Sequence, residues 1–102
     1  MEISMDDTMK QIYQRLRTHA DRFSREYHVR RFGVFGSYSR GTQTETSDID
    51  VLVELDEPIG LFQFVELEEQ LENLLGRKVD LVTPSALKPA IRDDVLRQTL
   101  YV

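Results

Sequence analysis

Residues 33–50 read GVFGSYSRGTQTETSDID, and the architecture of the chain follows from them. An apolar run from Phe32 to Phe35 stops at Gly36-Ser37, a polar stretch carries Arg40 and Gly41, and a second apolar run opens with Asp48 and Asp50. Side chains alternate across a strand, so a strand over 48–54 points both aspartates one way and Ile49, Val51 and Val53 the other. Like charges held side by side repel, and a divalent cation is the usual remedy. Before them, a turn at Gly36-Ser37 leads into a short helix over 37–41 whose first amides are free to hold an anion, with Ser37 as its cap and as a hydroxyl donor. The segment 42–47 is a polar loop in which Ser47 closes a turn ahead of the aspartates.

Upstream, VRRFGVF over 29–35 reads as a strand with Val29, Arg31, Gly33 and Phe35 on one face and Arg30, Phe32 and Val34 on the other. Gly33 within it marks the close approach of another segment. Before that strand, Met5, Met9, Ile12, Leu16, Ala20 and Phe23 recur at three or four and predict a single helix over 6–26. Downstream, residues 55–60 form a turn, and Leu61, Phe64, Val65, Leu67, Leu71, Leu74 and Leu75 predict a helix over 61–75 that Gly76 stops. A third strand over 78–83 turns Val79 and Leu81 inward and Asp80 the opposite way with Val82. Pro84 starts a short turn, and after Pro89 a last helix carries Ile91, Val95, Leu96 and Leu100. This order predicts an α/β fold, a sheet of three or more strands packed against helices, as one domain over 1–102.

The composition excludes several classes of function. With 102 residues, 40% apolar and 30% charged, the chain has one modest core and the make-up of a folded protein. A net charge of -5 disfavours direct nucleic-acid binding, and the Lys and Arg residues of the first helix read as solvated. No cysteine is present, so disulfides and thiolate zinc sites are excluded; His19 reads as a surface or boundary residue, and His28 has no second histidine or carboxylate at ligand spacing. The acidic N-terminus and the lack of any run of about 18 apolar residues predict neither signal peptide nor membrane span, and a cytoplasmic setting.

Asp48 and Asp50 from one strand and Asp80 from another meet at one end of a sheet if the two strands are neighbours. Such a trio suits one or two Mg²⁺ ions. Ser37 and the amides around 36–38 suit β- and γ-phosphates, and Arg40 adds a bidentate contact. Each feature alone is commonplace, since an Asp-x-Asp pair or a Gly-Ser turn often arises by chance. Together they point to metal-assisted phosphoryl or nucleotidyl transfer.

The run GSYSRGTQTETSDID, with Asp80 in KVDLV, resembles the nucleotidyltransferase superfamily that includes DNA polymerase beta. The whole layout is similar to its minimal nucleotidyltransferase (MNT) members. The resemblance implies a small nucleotidyltransferase fold with a mixed sheet. It implies Gly36, Ser37, Arg40 and Gly41 at the triphosphate, and Asp48, Asp50 and Asp80 as catalytic and metal-binding acids. It further implies two Mg²⁺ ions and ATP as the nucleotide donor. Larger relatives add a domain for the acceptor, so a chain of this length is expected to borrow one. The MNT proteins pair as antitoxins with all-helical HEPN toxins, and some transfer AMP to a toxin tyrosine. That makes a HEPN protein the expected partner, approaching the rim at residues 40–47, with Asp80 helping to activate the tyrosine hydroxyl. Two other readings stay open: an antitoxin that acts by binding alone, and a small-molecule nucleotidyltransferase. Self-association is open as well, and a template-directed polymerase is disfavoured by charge and length.

Overall fold

The computed structural model describes residues 7–102, so Met5 of the first apolar stripe lies outside the described residues. The helix expected over 6–26 is two helices, α1 (Asp7–Thr18) and α2 (Ala20–Tyr27). His19 between them has φ −103° and ψ 7°, yet the backbone bonds run on through it, from its N–H to Arg15 O and from Phe23 N–H to its carbonyl. The joint is thus a bend. Thr18 Oγ1 donates to Gln14 O at 2.8 Å, the kind of side-chain back-bond that bends helices. Met9, Ile12, Leu16 and Phe23 are buried, as their spacing requires.

Strand β1 (Val29–Phe35) leads into the short helix α3 (Ser37–Arg40), and strand β2 (Ile49–Leu55) follows the loop. Helix α4 (Leu61–Leu75) ends at Gly76, whose φ of 70° and N–H bond to Glu72 O close the last turn. Strand β3 (Val79–Val82), a 3-10 turn (Pro84–Ala86) and helix α5 (Pro89–Gln98) complete the expected series. A fourth strand, β4 (Leu100–Tyr101), was not anticipated: Leu100 belongs to it and not to the last helix.

The sheet is mixed, in the order β3-β2-β1-β4. β1 runs antiparallel to β2 and β4, and β2 runs parallel to β3. A register shift between Val29 and Arg31 inserts an extra residue in β1, so Val29 joins Phe32 and Val34 in the main core rather than facing with Arg31. That core lies between one face of the sheet and α1, α2 and α4, with Ile49, Val51, Val53, Val79 and Leu81 meeting Leu16, Phe23, Leu67 and Leu71. The opposite face carries a smaller cluster, Leu52, Leu87 and Val95 with Phe35, Val82, Leu96 and Tyr101, under α5. Gly33 stands where β4 crosses: a Cβ there would collide with the Thr99 methyl and press on the Tyr101 ring.

The exposed edge of β3 is closed by α4. Glu72 Oε2 accepts from Val79 N–H at 3.0 Å and Glu68 Oε2 from Leu81 N–H at 3.1 Å, which occupies edge amides that would otherwise invite another strand. The N-terminal turn of α4 departs from expectation. Leu61 is 75% exposed and Val65 44%, beside Phe62 at 90%, because the buried stripe runs through Leu67, Leu71 and Leu75.

Candidate active site

Parallel pairing of β2 with β3 sets Asp50 opposite Asp80, and antiparallel pairing of β2 with β1 sets Asp50 opposite Phe35. The end of β1 and the starts of β2 and β3 therefore meet at one end of the sheet. Asp48 precedes β2 by one residue, is exposed, and adds its charge to the same place. Asp50 and Asp80 occupy the sheet face of Leu52 and Val82, the face covered by α5 and the Leu87 segment before it.

Gly36, with φ 75° and ψ −146°, turns the chain directly over Asp50. A Cβ at this position would run into the Asp50 carboxylate, so the turn needs glycine for space as well as for its backbone angles. Gly36 occupies the cap position of α3, and Ser37 begins the helix rather than capping it. No side-chain bond caps this helix; Ser39 Oγ instead donates to Gly36 O at 3.0 Å. Gly41, with φ 73°, ends α3, and Thr42 N–H returns to Ser37 O at 2.9 Å. In the following loop Ser47 Oγ accepts from Thr44 N–H at 2.9 Å, the turn-closing role its position suggested.

The electrostatics link the acids. The half-buried carboxyl of Asp50 titrates above its ordinary value, chiefly because burial disfavours its charge, then because Asp80 and Asp48 repel it, with Arg40 pulling the other way. Among the described residues, however, no group of three His, Asp or Glu side chains is closed into a ligand cage for a metal ion. The three expected ligands share one end of the sheet and one field, with Asp48 and Asp80 exposed. As a donor set they suit a hard divalent cation, since carboxylates gathered at one end of the sheet repel one another and gain from an intervening positive charge.

Gln98, at the end of α5, was not singled out from the sequence. Its Oε1 accepts from Arg40 Nη1 at 2.8 Å and from Gly36 N–H at 3.3 Å. Nothing local marks it, since its partners lie 58 and 62 residues away along the chain. A groove of about 560 Å³ lies elsewhere. Leu55, Pro58, Ile59, Phe64, Thr83 and Pro84 line it at the far ends of β2 and β3, away from the acids.

Residues 16–102 match the family described as nucleotidyltransferase domain. The chain is 47% identical over 95 residues to protein adenylyltransferase MntA of Thermococcus cleftensis, covering 93% of this chain and 96% of that one. A solved structure described provisionally as a minimal nucleotidyltransferase superposes with TM-score 0.77 at 34% identity, covering 97% of this chain and 98% of the other. A toxin-antitoxin structure with AMP-PNP superposes with TM-score 0.67 at 28% identity, over 91% of this chain and 70% of that one. Among the described residues no helix is long and apolar enough to cross a membrane.

Proposed function

The chain belongs to the nucleotidyltransferase domain family, and on that premise we propose that it transfers AMP from ATP to a tyrosine hydroxyl of a HEPN toxin, as the antitoxin of the pair. The observation that carries this reading is the convergence of Asp50, Asp80 and Asp48 with the Gly36–Gly41 turn at one end of the sheet. Its relatives supply the direction: one is named a protein adenylyltransferase, and a toxin-antitoxin structure carries AMP-PNP, an ATP analogue. The HEPN class of the partner and the tyrosine acceptor come from the resemblance to MNT proteins. The chain acts as a single domain over 1–102.

Asp48, Asp50 and Asp80 are the residues that would hold Mg²⁺. When bound, Mg²⁺ offsets charge on the reacting phosphate and lowers the pKa of the attacking hydroxyl. Ser37, Gly36, Arg40 and Gly41 bind and orient the triphosphate, the guanidinium matching its oxygens in pairs. Asp80, exposed at the start of β3, faces the approaching hydroxyl and helps to draw off its proton. The hydroxyl oxygen bonds to the α-phosphorus, the bond to the bridging oxygen of the β-phosphate breaks, and pyrophosphate leaves with that electron pair. The proton passes through Asp80 to solvent.

The test is label transfer from ATP carrying radioactive phosphorus at the α position, with a HEPN toxin as acceptor. Label is expected on the toxin with wild type, and Asp80→Asn is expected to slow its appearance by about 10²–10⁴-fold. Label from the γ position on the toxin would mean phosphorylation and contradict the proposal. One observation favours a second reading, neutralisation by binding: Leu61, Phe62 and Val65 form an exposed apolar strip at the start of α4. Full neutralisation by an Asp48→Asn/Asp50→Asn variant would decide for it.

A further inference from the structure

The two donors at the entrance of the turn already share an acceptor. Gly36 N–H and Arg40 Nη1 both donate to Gln98 Oε1, at 3.3 and 2.8 Å. The amide is anchored at its other end, where Gln98 Nε2 donates to Asp94 O at 3.3 Å, one turn back on α5. Only the carbonyl end of a glutamine amide can accept from two N–H groups, so this network fixes which way the amide faces. Gln98 is half-buried, at the margin where the cover of α5 ends and the acids begin.

An oxygen that takes hydrogen bonds from a turn amide and a guanidinium at once has the partners a phosphoryl oxygen would take. Gly36 N–H has one hydrogen and serves one strong acceptor at a time, so Gln98 and a triphosphate bound there compete for it. We infer that Gln98 is a place-holder in the triphosphate pocket: its Oε1 keeps Gly36 N–H and Arg40 satisfied and aimed at one point, and yields both to a phosphoryl oxygen when nucleotide binds. The inference rests on reading the Gly36–Gly41 turn as the triphosphate site. The exchange is favoured because an anionic phosphoryl oxygen adds charge attraction, and a paired geometry, that the neutral amide oxygen does not offer the guanidinium. A half-buried glutamine also regains water when displaced, so little is lost on its side.

The competition gives two substitutions opposite signs. Gln98→Met keeps length and volume but removes the acceptor, and is expected to bind AMP-PNP with Mg²⁺ about two- to tenfold more tightly in calorimetry on the full chain. Gln98→Glu replaces the neutral oxygen with a charged one that pairs with Arg40, and is expected to bind about tenfold more weakly. Melting temperatures measured alongside separate this from a role in supporting α5, which would move both variants the same way. Unchanged or weaker binding by Gln98→Met, or unchanged binding by Gln98→Glu, overturns the place-holder. Failure of the wild type to bind the analogue overturns the triphosphate reading itself, and the inference with it.

Discussion

Asp50 concentrates the electrostatic cost of the site in one side chain. Its folded carboxyl holds a proton more tightly than the ordinary value of 3.8, because of burial first and then Asp80 and Asp48. The protonated form therefore favours the fold. That contribution is full below about pH 3.8 and is lost as the pH rises through the elevated folded value, so at neutral pH the ionised residue works against folding. Asp50→Asn, neutral at every pH, is expected to melt higher than wild type at neutral pH in chelator, with the gain vanishing in acid. Added Mg²⁺ is expected to raise the wild type toward the variant. A variant less stable than wild type at neutral pH would contradict the burial of this charge. Gly36 belongs to the same account, since the space a side chain would need there is taken by the Asp50 carboxylate.

Helix α4 separates the parts of an element that hold the fold from those that do not. Leu71 is fully buried in the main core, and Leu71→Ala is expected to cost about 2–5 kcal/mol in denaturant unfolding. Phe62, one residue into the same helix and 90% exposed, is expected to change stability by less than about 0.5 kcal/mol when replaced by Ser. Comparable losses at both positions would mean that the strip at the start of α4 is packed. The helix is tied to α2 by Tyr27, whose hydroxyl donates to Glu66 Oε1 at 2.9 Å. Burial and then Glu66 push the Tyr27 phenol up from 10.0 to about 12, so its stabilising effect is intact below pH 10 and is lost as pH rises through about 12. Tyr27→Phe is expected to cost about 1 kcal/mol at neutral pH and to remove a phenol titration near pH 12 from the ultraviolet absorbance. α4 was legible because its period runs unbroken to a glycine, and β2 and β3 because apolar alternation is interrupted only by their acids. The bend at His19 and the extra residue in β1 were not legible, since a helical period continues through a bend and a strand period hides a register shift. β4 is two residues long and exists by pairing with β1, a contact no local pattern announces.

At the scale of the molecule the fold is asymmetric, with α1, α2 and α4 on one face of the sheet and α5 on the other. The acids emerge on the thinly covered face, which leaves Asp48 and Asp80 exposed to an incoming acceptor. Their types and spacing were legible; their meeting depends on β2 and β3 being parallel neighbours, which no spacing dictates. Gln98 shows the limit most plainly, since a residue that meets the Gly36–Gly41 turn from some sixty positions away has no signature of its own. On the proposed function, this end of the sheet moves AMP onto a protein. Intact mass spectrometry of the HEPN protein after incubation with the chain, ATP and Mg²⁺ tests it most directly, with Asp48→Asn/Asp50→Asn as control. The expected result is a gain of one or more AMP units, traced by fragmentation to tyrosine and absent with the control. An unchanged mass in a stable complex of the two proteins would contradict it.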